Sequence, residues 1–282
     1  MYKIIEKREI APSIKLFKVF APEIAKKAQP GQFVILRVDD KGERIPLTLA
    51  DWDAKEGTIT LAFLEIGVST RKLGELTKGD MILDVFGPLG NPTELRNYGS
   101  VCIVGGGVGI AAAYPITRAL KYAGNKITSI IGARTSKLLI FEEEMRRYSD
   151  ELYISTDDGT KGYKGFVSDI LRNLLEKGYM FNMVYAVGPA VMMKAVAEVT
   201  RPYKIKTIVS LNPIMVDGMG MCGACRVTVS GKTMFACVNG PEFDAHEVDF
   251  TELIRRQMTF LQEEKMALEF WEANKRGKAG VL

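Results

Sequence analysis

The feature that most limits how this chain can fold is a change of hydrophobic rhythm near Ser100. Before it, from Tyr2 to about Asn97, apolar residues come in short β-type runs: Ile14 to Phe20, Gln32 to Val38, Ile45 to Ala50, Thr58 to Phe63 and Met81 to Phe86. Pro30-Gly31, Asp39-Asp40-Lys41-Gly42, Lys55-Glu56-Gly57 and Lys78-Gly79-Asp80 separate them. Such punctuation ends strands and starts turns, so this part predicts an antiparallel barrel or sandwich. After Ser100, strands alternate with longer helical stretches. Strands are expected at Val101–Val104, Ile127–Ile131, Leu152–Ser155, Met183–Val187 and Thr207–Val209, and helices at Ile110–Tyr122, Phe141–Tyr148, Phe166–Glu176 and Ala190–Val199. That alternation predicts a doubly wound parallel α/β sheet.

A third part begins near Asn212-Pro213, with a hairpin expected from Cys225–Val229 through Ser230-Gly231-Lys232 into Thr233–Cys237. A module of roughly 35 residues buries too little apolar surface to fold alone and needs a staple. A final helix is expected over Thr251–Lys275. The expected domains are thus residues 1–98, 99–212, 213–250 and 251–282.

Composition removes several function classes. The net charge is +4, with lysines and arginines interspersed among acids, which leaves no basic stripe for nucleic acid. The longest apolar run, starting at Val101, is broken by glycines and is too short to span a membrane. The N-terminus MYKIIEKREI has no apolar signal stretch, so a cytoplasmic protein is expected. The one histidine, His246, disfavours sites built on several imidazoles.

Three of the four cysteines, Cys222, Cys225 and Cys237, lie within sixteen residues. Their spacing, Asp217-x4-Cys222-x2-Cys225-x11-Cys237, fits the plant-type C-x4-C-x2-C…C pattern of a [2Fe–2S] site, with aspartate at the first position. Thiolates suit iron as soft donors, and a carboxylate can ligate it as a harder one. Gly218, Gly220 and Gly223 let the backbone wrap closely and turn N–H groups inward. A zinc knuckle and unliganded buried thiols are the competing readings. The fourth ligand is Asp217 by position, with His246 as the alternative and a plain turn aspartate as a third reading. Cys102, in the run Val-Cys-Ile-Val, is expected in the core.

After Val104 comes GGGVGIAAA, a glycine turn opening a helix, which presents backbone N–H groups to a pyrophosphate. It departs from G-x-G-x-x-G at Ile110, and no acid closes the next strand, which ends Gly132-Ala133-Arg134. An ordinary Rossmann dehydrogenase is therefore disfavoured. Two more loops, Ser155-Thr156-Asp157-Asp158-Gly159 and Val187-Gly188-Pro189, also follow strands, at the sheet edge where ligands sit.

Together these parts resemble the ferredoxin-NADP reductase superfamily. The motifs carrying the resemblance are Pro30-Gly31-Gln32-Phe33, Arg44-Ile45-Pro46-Leu47-Thr48, Gly67-Val68-Ser69-Thr70, Gly87-Pro88-Leu89-Gly90, GGGVGIA and Gly188-Pro189-x-x-Met192. The resemblance implies an FAD-binding β-barrel with Arg44, Pro46, Leu47, Thr48, Gly67, Ser69 and Thr70 at the flavin, and Gly87 in the stretch that closes the barrel beside the pyridine nucleotide. It also implies a nucleotide domain with Gly105, Gly107, Gly109, Asp157, Gly188 and Pro189 at NAD(H) or NADP(H). Arg44 offers a planar cation to the diphosphate, Thr48 a hydrogen bond to the flavin ring, and Ser69 and Thr70 caps for a short helix. Arg134 and Lys137 could read a 2′-phosphate, although the resemblance favours NAD(H).

The cysteine module narrows the resemblance to a branch holding the electron-transfer subunit of dihydroorotate dehydrogenase and the small subunit of NADH-dependent ferredoxin:NADP oxidoreductase, or sulfide dehydrogenase. Aspartate at 217 and the C-terminal helix are more similar to the latter. The implied role is a flavin-dependent NAD(P)H oxidoreductase subunit with FAD and a [2Fe–2S] cluster at Asp217, Cys222, Cys225 and Cys237. It exchanges hydride with NAD(P)H and relays single electrons to a larger flavin and iron–sulfur subunit of a heterodimer, and through that subunit to ferredoxin. No catalytic side chain is implied. The dihydroorotate dehydrogenase subunit, a self-contained reductase for an oxygenase and a zinc-knuckle nucleotide sensor are the alternatives.

Overall fold

The computed structural model describes residues 1–279, the last four by backbone alone. The first part comprises β1 (Tyr2–Ala11), β2 (Ile14–Phe20), a short α1 (Pro22–Ala25), β3 (Phe33–Arg37), β4 (Arg44–Asp53), β5 (Thr58–Leu64), α2 (Val68–Glu75), β6 (Met81–Ile82) and β7 (Asp84–Leu89). The strands run in the order β6-β1-β2-β5-β4-β3-β7, every pairing antiparallel. Its two edge strands, β6 and β7, are consecutive, joined only by Leu83, whose N–H donates to the Val38 carbonyl at 3.2 Å. The sheet therefore curls into a nearly closed barrel, which removes most of its exposed edge. Phe17, Val34, Leu36, Leu49, Ile59, Leu61 and Phe63 fill it. The strand expected over Met81–Phe86 is thus two strands, broken where the chain turns from one edge to the other.

The second part holds β8 (Ser100–Gly106), α3 (Gly109–Tyr122), β9 (Lys126–Ala133), α4 (Glu142–Tyr148), β10 (Glu151–Thr156), β11 (Tyr163–Lys164), α5 (Val167–Glu176), β12 (Met183–Val187), α6 (Ala190–Thr200) and β13 (Lys206–Ser210). They form a parallel sheet in the order β11-β10-β9-β8-β12-β13. Alternate residues of β8 serve opposite faces: Cys102 and Val104 join the cluster of α5 and α6, while Val101 and Ile103 join that of α3. That alternation makes the sheet doubly wound.

The third part adds β14 (Arg226–Val229), β15 (Lys232–Phe235), α7 (Ala236–Asn239), β16 (Glu242–Asp244), α8 (Phe250–Gln257) and α9 (Leu261–Ala279). Ser230 and Gly231, at φ 50° and 71°, make the two-residue hairpin turn whose twist matches its strands. Two expectations are corrected here. Cys237 lies on α7, not on the hairpin. The final helix is two helices, interrupted at Met258–Phe260, because α8 buries Phe250 and Leu253 in the core while α9 leaves it. Residues 280–282 of the expected C-terminal segment lie outside the described residues.

The module also gains its core by sharing. β16 pairs antiparallel with β13 at the edge of the parallel sheet. Cys225, Val227, Cys237 and Phe243 belong to the same apolar cluster as α5 and α6.

Candidate functional site

Three loops meet at the carboxyl edge of the parallel sheet. Gly105, the last but one residue of β8, is the register partner of Val187 at the end of β12. This is the point where strand order reverses and a ligand crevice opens. A Cβ at Gly109 would lie 2.7 Å from the Val187 carbonyl oxygen and 2.8 Å from the Gly188 Cα, so only glycine lets α3 start this close to that loop. Gly107, at φ 55°, has open space around it. On the flank, the Asp157 N–H donates to the Ala133 carbonyl at 3.2 Å. Arg134 and Lys137 stand exposed beyond β9, and neither has an ion-pair partner among the described residues.

On the barrel, Arg44 opens β4, and Pro46, Leu47 and Thr48 pair with Ile35, Val34 and Phe33 of β3. Arg44 is exposed and likewise has no ion-pair partner among the described residues. It borders a cavity of about 370 Å³ with Tyr2, Arg37, Asp84, Phe86, Asp217 and Met219 in the wall. Arg37 donates to Asp84 from Nε and Nη2 at 2.9 and 2.7 Å, which fixes that wall. At α2 Thr70 takes part in the capping as expected, whereas Ser69 does not. Gly67 is the N-cap, and Thr70 reaches back, its Oγ1 accepting from the Ile66 and Gly67 N–H groups at 3.0 and 3.1 Å. Ser69 donates to Glu43 at 2.8 Å. Gly87 lies in β7 against Val34, 2.8 Å from it for a Cβ.

The cysteine loop is seated on the barrel. A Cβ at Gly218, φ 75°, would come within 2.6 Å of Leu89 Cδ1 and 3.1 Å of Ile35 Cδ1. The Asp217 carboxylate accepts from the N–H groups of Met219, Met221 and Cys222 at 2.9, 3.2 and 2.7 Å. These bonds, the Met219 N–H foremost, hold its carboxyl below the usual range. Cys225 and Cys237 are buried with sulfurs 3.2 Å apart, and Cys222 is exposed. Burial, then the Cys225 contact, pushes the Cys237 thiol up to about 12. Among the described residues no group of three or more His, Cys, Asp or Glu side chains is drawn together as for a metal ion. His246 is instead tied to Thr200 at 3.0 Å, and Cys102 is fully buried in the core, where burial raises its thiol. The donor set still fits an iron–sulfur group, since the buried thiols of Cys225 and Cys237, with sulfurs 3.2 Å apart, supply soft ligands beside a glycine-wrapped loop.

One part of the joint escaped sequence reasoning. Glu242 on β16 accepts from Thr93 at 2.5 Å and from the buried Tyr185 hydroxyl at 2.7 Å. It thereby links the barrel's exit, the parallel sheet and the cysteine module. Tyr2 and Phe86 in the cavity wall were also missed. No local signal marks such residues, because their partners lie 57 to 149 positions away or on other strands.

Residues 212–249 match the model of the iron-sulfur cluster binding domain of dihydroorotate dehydrogenase B, and residues 103–198 that of the oxidoreductase NAD-binding domain. A Thermotoga maritima protein described as a dihydroorotate dehydrogenase B (NAD(+)), electron transfer subunit homolog is 50% identical over 267 residues, 95% of this chain and 94% of that one. The probable electron transfer subunit of the same enzyme in Methanopyrus kandleri is 33% identical over 259 residues, 91% and 95% of the two chains. A solved chain of an NADH-dependent reduced ferredoxin-NADP oxidoreductase superposes with a TM-score of 0.91 at 48% identity, over 96% of this chain and 98% of that one. Phthalate dioxygenase reductase, at 19% identity and TM-score 0.59 over 84% and 93% of the chains, shares the fold. The chain therefore belongs to the family of dihydroorotate dehydrogenase B electron-transfer subunits, built on the ferredoxin-NADP reductase fold.

Proposed function

We propose that this chain is the small subunit of an NADH-dependent ferredoxin:NADP oxidoreductase, passing electrons between NAD(H) and a larger flavin and iron–sulfur subunit. One observation carries the reading: Arg44 of the flavin motif and Asp217 of the cysteine loop line the same cavity. A flavin held at Arg44 would share this cavity with the loop that carries Asp217.

FAD and a [2Fe–2S] cluster, when bound, would supply the two-electron and one-electron redox chemistry, which belongs to the cofactors. The chain's residues bind and orient. Arg44 meets the flavin diphosphate, with Thr48 towards the ring and Gly67 and Thr70 shaping the second flavin loop. The open turn at Gly105, Gly107 and Gly109 receives the nucleotide pyrophosphate, flanked by Asp157, Gly188 and Pro189. Asp217, Cys222, Cys225 and Cys237 are the proposed cluster ligands. No side chain needs to move a proton, which suits a chain with one histidine already engaged by Thr200.

Aspartate at 217 favours this reading over a dihydroorotate dehydrogenase partner. Native purification tests it. The expected result is a co-purifying flavin and iron–sulfur subunit and NADH-dependent reduction of NADP⁺ with reduced ferredoxin. Co-purification with a subunit that oxidises dihydroorotate, coupled to NAD⁺ reduction, would assign the chain to the other branch.

A further inference from the structure

The strand that bears the flavin motif and the helix that opens at the nucleotide turn are in direct contact, β4 against α3. Their seam is apolar and built largely from small side chains. Ala50 and Ala62 of the barrel share one cluster with Ala111, Ala112 and Ile116 of α3. Contacts of this kind are strong but non-directional, so they do not by themselves fix how far the helix slides or tilts on the strand. One polar contact does. Arg118 of α3 donates from Nη2 to Asp51 Oδ1 of β4 at 2.7 Å and from Nη1 to the Tyr114 hydroxyl at 3.3 Å. Its guanidinium lies over the rings of Tyr114 and Trp52, at 5.1 and 5.9 Å from their centroids. The Trp52 N–H donates to the same Asp51 oxygen at 2.9 Å, which fixes the acceptor.

We propose that Arg118 is a positioning residue for hydride transfer, steadied by Tyr114 of its own helix and clasping the nucleotide-binding helix to the flavin-binding strand through Asp51 and Trp52. The inference rests on the flavin and nucleotide reading given above. Arg118 lies nine residues beyond Gly109, about 13 Å along the helix, so a tilt of about 5° at the clasp moves the nucleotide turn by about 1 Å. Misplacement of that size slows a reaction by on the order of 100-fold. Arginine suits the role because its planar fork donates in fixed directions while its faces stack on aromatic rings. Lysine would keep the charge and lose both.

The test uses the full chain carrying its flavin, mixed rapidly with NADH, for wild type, Arg118→Met, Arg118→Lys, Asp51→Ala and the double variant Asp51→Ala with Arg118→Met. The expected result is full flavin content, flavin reduction at saturating NADH slowed about 10- to 100-fold, KM changed much less, and a weakened long-wavelength charge-transfer band between nucleotide and flavin. Arg118→Lys recovers part of the rate, and the double variant is no slower than either single one, because both remove the same contact. Asp51→Ala, which removes the acceptor and leaves the Arg118 side chain in place, carries the test should Arg118→Met fail to fold. A normal rate and normal band in flavin-replete Asp51→Ala and Arg118→Met overturn the clasp while leaving the functional reading intact. Wild-type flavin that neither NADH nor NADPH reduces overturns that reading instead, and the clasp with it.

Discussion

Asp217 is the residue on which the proposed cluster site turns. Its carboxylate gathers three loop N–H groups, so the side chain organises the loop whether or not it also meets iron. Asp217→Ala is expected to shift the visible spectrum or potential of the cluster with flavin content preserved. An unchanged spectrum and potential would remove Asp217 from the ligand set. At Gly109 the constraint is backbone against backbone. Gly109→Ala should cost about 1–3 kcal/mol of stability by overpacking and raise KM for NADH, read by thermal unfolding and steady-state kinetics. Glu242 gives a pH signature. Burial holds its carboxyl above the ordinary value of 4.5, so the folded chain binds this proton more readily than the unfolded one. Its contribution to stability is full below about 4.5 and is lost as pH rises through the raised native value. Glu242→Gln should therefore lose less Tm than wild type over that rise. Parallel curves of Tm against pH for the two proteins would show that Glu242 does not titrate in this way.

At the scale of elements, the two C-terminal helices differ in what holds them. α8 places Leu253 in the core at 1% exposure, and Leu253→Ala should cost about 2–5 kcal/mol. α9 is tied to α2 by Arg71 with Glu272 at 2.6 Å and by Lys275 with Glu75, and Lys275 lies over the Trp271 ring, 4.5 Å from its centroid. These ion pairs are partly exposed, where a pair is worth about 0–1 kcal/mol each. Ending the chain after Gln257 should therefore lower stability less than Leu253→Ala does, as denaturant unfolding of both would measure. A larger loss on truncation would mean that Trp271 packs more weight onto the barrel than the ion pairs do.

Across the whole molecule, barrel, parallel sheet and cysteine module are joined by the β13–β16 pairing and, among other contacts, at three further points. Gly218 sits on Leu89 and Ile35, Glu242 accepts from Thr93 and Tyr185, and Arg118 pairs with Asp51. All three lie between elements distant in sequence. Arg44 and Asp217 therefore line one cavity although 173 positions separate them in the chain. A preparation of the intact chain should accordingly show flavin absorption and a broad iron–sulfur envelope together. A colourless, zinc-containing protein would contradict that arrangement of function.

The order of elements was legible in the sequence because each signal is local. Periodicity separated barrel from parallel sheet, Ser230-Gly231 marked the hairpin, and the spacing of Cys222, Cys225 and Cys237 marked the metal chemistry. Where sequence reasoning fell short, the deciding contact was non-local. The break between α8 and α9 follows from which of them reaches the core. The placing of Cys237 on α7, the Glu43 partner of Ser69, and the roles of Glu242 and Arg118 depend on neighbours that only folding supplies. Sequence alone thus determined which chemistries the chain can host, since residue type and short spacing select ligands and turns. Tertiary structure decided how those chemistries face one another, because that depends on packing between segments with no local trace of their pairing.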